Sequence, residues 1–589
     1  MVNLKAKPFN LDDEAIKWVE ETIASMTIEE KIGQLFVNLG ITRDEEYLKD
    51  VVNNYHIGAA RYNPGSAAEI HQQNVILQTN SKIPLFIASN LEGGGNGACG
   101  GGTEVGLPVK IGATNDPKYA YEMGRISGIE GAATGSNWTF APLVDINLNW
   151  RNPIISSRCF SNEAEKVLAN ALGYFKGVSE SNMICAMKHF PGDGIDERDH
   201  HISNAVMSLG CEEWDKSYGI IYKGLIEEGI QSVMIGHFLF PAYTKHFNPT
   251  IKDEEILPAS LCKEITTDLL RGKLGFNGLV VTDASHMVGM TCALRRKDVL
   301  PQAIAAGCDM FLFFNDLDED FGYMMDGYKN GVITDERLHD ALTRILGAKA
   351  GLGLHKKAKE ELVPPVEGLS VVGCEEHKKI AKEVADKAIT LVKNKQDVLP
   401  LCVEKHKRIL VVPVGGVTSS GGSLFNLIMP KGPSPADKLA EKLRAKGFDV
   451  EIYVSPLEEL AKKEGAEKNL AVMKYFLGKS PVGEFVNKYD LIITAAAVNG
   501  TGMTVERVGW GFSKGGKEIP WYVHEIPTIV VSFKSPFLLA DVPQAKTYIN
   551  TYDANEVTID ALVAKLTGES EFVGVDPVDA FCGMWDTRL

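Results

Sequence analysis

The chain has 589 residues, 44% of them hydrophobic and 23% charged, and a formal net charge of −16. That length exceeds one ordinary hydrophobic core and points to more than one globular domain. The acidic balance argues against nucleic acid and anionic membranes as partners, because both are bound through clustered Lys and Arg.

The N-terminus, MVNLKAKPFNLDDEAIKWVEE, has no apolar run of the kind that opens a secretory signal. No window approaches the roughly 18 consecutive apolar residues of a membrane span. The ten cysteines include no CxxC pair and read as free, mostly buried thiols. A cytoplasmic location is the expectation.

From the N-terminus to about Gly353, short apolar runs alternate with helical patterns, which is the texture of βα units on a parallel sheet. The expected strands are Gln34–Asn38, Gly58–Tyr62, Leu85–Ser89, Thr139–Val144, Met183–Met187, Ser232–Gly236, Gly278–Thr282 and Met310–Phe314. Helical patterns fall between them, as at Ala67–Thr79, Glu163–Ser179 and Glu213–Glu228. Eight such units predict a TIM barrel, with an open doubly wound sheet as the rival. In a barrel, reactive groups sit where strands end at their C-terminal side. Those positions hold Asn90 and Glu92, Asp145, Lys188 and His189, His237, Asp283 and Asn315.

The texture then changes. HKKAKEELVPPVEGLS reads as a charged, Pro-containing linker, so the expected division is a catalytic barrel over 1–355, a linker over 356–370 and a second domain over 371–589. Glu375–Lys395 reads as helix. RILVVPV, DLIITAAAV and TIVVSF read as buried strands, and Pro435–Lys446 and Glu556–Lys565 as helices. The expectation is a smaller α/β sandwich domain with an open sheet. Its GGVTSSGGS segment follows a strand but fits neither GxGxxG nor GxxxxGK[ST], so a plain turn is favoured over a phosphate loop.

Three segments carry candidate chemistry. KHFPGDGIDERDHH (188–201) turns through Pro191, Gly192 and Gly194 and gathers Asp193, Asp196, Glu197, Asp199, His200 and His201. Asp199 and His201 are two residues apart, so a carboxylate there can orient the imidazole and raise its basicity. A metal site from His189, Asp199, His200 and His201 competes, but its spacing is not that of a zinc motif; a solvated charged loop also competes. In GFNGLVVTDASHMVGM, Asp283 follows an apolar strand and is either a reactive carboxylate or a helix N-cap. In NLEGGGNGACGGG the glycines allow close backbone approach to a ligand, or make a floppy loop.

Taken in order, MTIEEKIGQLF, NLEGG, NWTFAPLVDI, NPIISSRCFSNE, KHFPGDG, VVTDASHM and AKEVADKAITLVKNKQDVLPL resemble the successive motifs of glycoside hydrolase family 3. The loop resembles the K-H-F-P-G-H-G-x4-D-[S/T]-H of its β-N-acetylglucosaminidase branch, with the four-residue spacing before Asp199 kept. The resemblance implies Asp283 as nucleophile, His201 as acid/base oriented by Asp199, and sugar hydroxyls held by Lys188, His189 and Arg158. Asn90 stands where the family has Asp and is carried as a further substrate contact. Asp193 replaces the second His, and His200 replaces Ser or Thr. The resemblance implies a small carbohydrate substrate containing N-acetylglucosamine, cleaved with retention and without a metal or organic cofactor. A His acid/base carries no negative charge to repel an anionic acceptor, so an N-acetylglucosaminide phosphorylase is one alternative. A β-glucosidase or β-xylosidase is another, and an inactive sugar-binding protein is a third of a different class.

Overall fold

A computed structural model describes the chain except for residues 1, 64, 416–432, 456–459, 461, 478–480, 499–504, 506 and 511–516. Most of the Gly-rich GGVTSSGGS segment, residues 416–423, lies outside the described residues. Two compact units are present: Met1–Pro108 with Asp116–Ile380, and Val109–Asn115 with Ala381–Leu589.

The first unit is a closed barrel of eight parallel strands, so the open-sheet alternative does not hold. The strands are β1 (Phe36–Leu39), β2 (Ala59–Arg61), β3 (Phe86–Ser89), β4 (Trp138–Thr139), β5 (Ile184–Phe190), β6 (Ser232–Ile235), β7 (Leu279–Ala284) and β8 (Met310–Leu312). They close in sequence order, with β8 pairing back onto β1 through Phe36–Phe311 and Val37–Leu312. Their residues are almost wholly buried, as expected of strands enclosed on both faces. Helices enter with capping chemistry visible in the sequence. Thr27 and Glu30 form a reciprocal capping box before Ile28–Gly33, as do Ser66 and Glu69 before Ala67–Asn80.

Two elements depart from expectation in ways that shape the site. The fourth strand is only Trp138–Thr139; beyond it the chain meets β5 at a bridge of Leu143 with Lys188, where the Val144 N–H donates to the Lys188 carbonyl at 2.8 Å and the Lys188 N–H to the Pro142 carbonyl at 3.1 Å. The helix expected over Glu213–Glu228 breaks at Ser217 into Cys211–Lys216 and Tyr218–Glu228. The break lets two buried aromatics support the same loop: Trp214 Nε1 donates to the Pro191 carbonyl at 2.8 Å and Tyr218 Oη to the Asp193 carbonyl at 2.5 Å.

The segment read as a linker is packed on the barrel unit. Leu362 and Val363 are buried, and His71 Nε2 donates to the Pro364 carbonyl at 2.7 Å.

The second unit holds a six-stranded sheet: β9 (Thr390–Asn394), β10 (Arg408–Gly415), β11 (Asp449–Ile452), β12 (Leu491–Ala497), β13 (Thr528–Ser532) and β14 (Thr547–Asn550). The order is β9-β14-β13-β12-β10-β11, with only β9 antiparallel to its neighbour. Helix does not run through Glu375–Lys395. It covers Glu375–Ala388 and yields to β9, because Thr390–Asn394 has a partner in β14 and its β-branched residues suit a pleated sheet. The segment Val109–Asn115 brings the fully buried Lys110, whose Nζ donates to Asp553 Oδ2 (2.6 Å) and Thr558 Oγ1 (2.8 Å). Among the described residues no helix is long and apolar enough to cross a membrane. All ten cysteines are free; five are buried and Cys292 is exposed.

Candidate active site

Strand β7 is apolar and sealed up to Thr282, then places Asp283 near its end with little exposure. Asp283 Oδ1 accepts the Ala284 N–H at 2.7 Å. The next helix begins at Val288 behind Met287, so Asp283 is not its N-cap and the capping alternative fails. Burial pushes the Asp283 carboxyl up, but attraction to the surrounding imidazoles, His189 foremost, outweighs it and holds the group well below the usual carboxylate range. His189 Nε2 lies 3.9 Å from Asp283 Oδ2. His200 and His237 are pushed down by burial, which favours their neutral forms. In its neutral form His237 has one tautomer. Its Nε2 donates to the Ala284 carbonyl at 3.1 Å, leaving Nδ1 to accept from Ser260 Oγ at 2.8 Å.

Lys188 and His189 lie within strand β5, not after it as the sequence suggested. The β5–β6 register shifts between Met187 and Phe190, and such irregularities re-aim side chains beside active sites. Lys188 Nζ reaches Glu92 Oε1 at 2.6 Å. Arg158 grips the same carboxylate with two bonds, Nε to Oε2 at 3.0 Å and Nη2 to Oε1 at 2.9 Å. Burial raises the Glu92 carboxyl, and the two cations more than reverse this and bring it far down; Glu92 in turn keeps Arg158 charged against burial. Burial still wins at Lys188, whose ammonium is lowered. Asn90 begins the loop after β3. Its Oδ1 is enclosed and has no hydrogen-bond partner among the described residues. The Gly-rich segment behind it is anchored, since Thr103 donates through N and Oγ1 to Glu130 at 2.7 and 2.6 Å. Gly97 packs so closely that a Cβ there would lie 1.9 Å from the Asn90 carbonyl.

The His189 ring is set by Asp145, whose Oδ2 meets Nδ1 at 2.8 Å while Oδ1 accepts the His189 N–H at 3.2 Å and the Asp193 N–H at 2.8 Å. Asp193 therefore sits behind the site as a structural group. Asn152 Nδ2 donates to it at 2.8 Å, and burial together with the Asp145 charge pushes its carboxyl up. Gly194 has φ +108, and a Cβ would collide with the Ile146 carbonyl at 1.9 Å, a position that needs glycine.

Beyond this turn the loop presents the second pair. Asp199 Oδ1 accepts the His201 N–H at 2.8 Å and meets His201 Nδ1 at 2.7 Å. The ring is partly exposed, and Nε2 is its far nitrogen. His200 turns inward, stacks on Phe238 at 4.4 Å, and accepts the His237 N–H on Nδ1 at 3.4 Å; its enclosed Nε2 has no partner among the described residues. The segment after Asp283 ties this loop down: Val288 N–H donates to the His201 carbonyl at 2.9 Å and Gly289 N–H to the His200 carbonyl at 3.0 Å.

The proposed metal quartet does not assemble: among the described residues no group of three or more His, Cys, Asp and Glu side chains is arranged to hold an ion. The structure instead brings together Asn90, Arg158, Lys188, His189, Asp283 and the Asp199–His201 pair. It adds Glu92, Asp145 and His237, whose strand-end positions were visible in the sequence while their partners were not. His286 was missed altogether. It lies in the turn after Asp283, is exposed, and interacts electrostatically with Asp283 and His201.

The arrangement is that of a glycosidase mouth: a carboxylate, an oriented imidazole and a charged cradle at the C-terminal end of a barrel. The pattern of the glycosyl hydrolase family 3 N terminal domain matches residues 27–348. The chain belongs to this family. A curated relative from Cellulomonas fimi, named beta-N-acetylglucosaminidase/beta-glucosidase, is 39% identical over 590 residues and all of both chains. A beta-hexosaminidase A from Pseudoalteromonas piscicida is 28% identical, covering 62% of this chain and 64% of that one. Among solved structures, a beta-glucoside phosphorylase BglX superimposes with a TM-score of 0.88 at 38% identity, covering 99% of each chain. The protein is thus a family 3 glycosidase with a carbohydrate substrate.

Proposed function

We propose that the chain is a retaining exo-β-N-acetylglucosaminidase that works through a covalent glycosyl-Asp283 intermediate. The observation that carries this reading is the Asp199–His201 pair, 2.7 Å between Oδ1 and Nδ1, locked by backbone hydrogen bonds to the segment that follows Asp283. Asp283, ionised, attacks the anomeric carbon. His201 Nε2 gives its proton to the departing glycosidic oxygen, and the aglycone leaves as an alcohol. The Asp199 carboxylate stabilises the imidazolium before transfer and fixes the ring afterwards. In the second half, neutral His201 takes a proton from water as its oxygen attacks the anomeric carbon, the ester to Asp283 breaks, and β-configured sugar is released. Asn90, Arg158, Lys188 and His189 hold the sugar, with Glu92 and Asp145 orienting three of them. The substrate assignment draws on the names of the similar Cellulomonas fimi and Pseudoalteromonas piscicida proteins, and the first of these names includes β-glucosides.

A second reading has phosphate in place of water, giving a sugar 1-phosphate. The full-length likeness to a protein called a phosphorylase favours it, and a neutral acid/base admits an anionic acceptor without repulsion. A panel of nitrophenyl β-glycosides, run with and without inorganic phosphate and followed by NMR of the first-formed anomer, tests both. The hydrolase reading expects N-acetylglucosaminide turnover independent of phosphate and β-sugar first. Phosphate-dependent turnover with sugar 1-phosphate establishes the second reading. An α-anomer formed first rules out both mechanisms.

A further inference from the structure

We propose that Ile202 and Val288 form an apolar lip beside His201 that receives the leaving group, so that the site takes glycosides whose aglycone presents an alkyl or aryl face. The inference rests on the acid/base role proposed for His201. Single exposed aliphatics are ordinary on protein surfaces, but these two are joined. Ile202 follows His201 directly, and the Val288 N–H donates to the His201 carbonyl at 2.9 Å. The two side chains therefore rise from abutting backbones, one on each of the two segments that carry the reacting groups. Both are open to solvent, at 48% and 37% exposure.

The lip is also built into the fold. Ile202 N–H donates to the Asp199 carbonyl at 3.1 Å, Gly289 N–H to the His200 carbonyl at 3.0 Å, and Cys292 Sγ to Asn204 Oδ1 at 3.0 Å. The occupant follows from proton transfer. With Nδ1 held by Asp199, the leaving oxygen must approach Nε2 of His201. Whatever that oxygen carries extends over the residues beside the ring. Substrate alkyl groups laid on Ile202 and Val288 leave water as the glycosidic bond breaks, and each methylene removed from water strengthens the interaction.

The test is a series of alkyl β-glycosides, methyl through hexyl, whose leaving alcohols differ little in acidity. The expected result for the unaltered protein is a rise in kcat/KM on the order of ten-fold from methyl to hexyl. Ile202→Ser and Val288→Ser should each shrink that ratio, and the double variant should bring it close to one. The rate with a glycosyl fluoride, which has no aglycone, normalises each variant for folding and for nucleophile function. A flat series in the unaltered protein, or a double variant that keeps the full rise, overturns the lip. So does a flat series with concentration-dependent self-association that the same substitutions abolish, which would give the surface to a second copy of the chain. Absence of turnover of both the methyl glycoside and the fluoride would instead remove the catalytic reading beneath it.

Discussion

Two carboxylate–imidazole pairs of nearly equal length lie around Asp283, Asp145–His189 at 2.8 Å and Asp199–His201 at 2.7 Å. Both are anchored on the carboxylate side, with Asp145 and Asp199 buried. They differ at the imidazole: His189 is 5% exposed and its far nitrogen faces Asp283, whereas His201 is 38% exposed. A sealed ring, held between Asp145 and Asp283, suits a positioning role. An open ring can meet a leaving group and then a water. Orientation by a carboxylate is thus common to both pairs, and access to the far nitrogen divides their proposed roles.

Replacement of each imidazole is the strongest way to break the comparison. His201→Ala is expected to slow cleavage of unactivated alkyl glycosides by about 10²–10⁴-fold. Its effect on dinitrophenyl glycosides, which need no proton donor, should be far smaller in the bond-breaking step. His189→Ala should slow both classes alike. A matching loss across leaving groups in both variants, read from pre-steady-state kinetics, would erase the distinction.

Asp145→Asn comes next. It keeps the shape but frees the His189 ring and leaves a buried bond imperfect. Activity is expected to fall about 10–100-fold, with stability down by roughly 1–3 kcal/mol, read from kcat/KM and thermal melting. Asp199→Asn, at a buried carboxylate whose imidazole partner is open to solvent, should cost similar activity with a smaller change in Tm.

Gly289→Ala probes the tie between the two segments. A Cβ there would lie 2.9 Å from the His200 carbonyl and 3.0 Å from that of His237. The displaced loop should lower kcat by roughly ten-fold, with the larger loss on substrates that need the His201 proton.

A third buried group, Lys349, has no charged partner among the described residues. Lys349 Nζ donates to Gln34 Oε1 at 2.7 Å, and burial pushes its ammonium down to about 7 from an ordinary 10.5. Between those values the unfolded chain holds a proton that the folded one has released, so stability rises with pH through that window, by about 1.4 kcal/mol per pH unit at most. Lys349→Met should remove that rise and gain most over the unaltered protein below pH 7. Parallel Tm-against-pH curves for the two proteins would contradict this, and activity should be the least affected of all the variants.

Much of the fold was legible because barrel strands are short apolar runs at βα spacing, and Leu279–Ala284 or Phe86–Ser89 need no tertiary knowledge to find. What escaped depended on partners distant in sequence. Thr390–Asn394 is a strand because β14 lies beside it, not because its own pattern says so. Ser217 breaks a helix between Trp214 and Tyr218, two aromatics that each bond to the same distant loop. At the site, Asp283 and Asp199–His201 were legible by position and by resemblance. Glu92 and Asp145 stood at the right strand ends, but only the folded chain pairs them with Arg158, Lys188 and His189. His286 escaped because an exposed turn histidine has no distinguishing sequence pattern.

Asp283 is expected to form the covalent bond to sugar. Incubation with a 2-deoxy-2-fluoro glycosyl donor that has an activated leaving group, followed by peptic digestion and mass mapping, tests it most directly. The expected result is a single fluoroglycosyl ester on the peptide containing Asp283, absent from Asp283→Asn and discharged by water or by phosphate. A label on any other residue, or full turnover in Asp283→Asn, would contradict it.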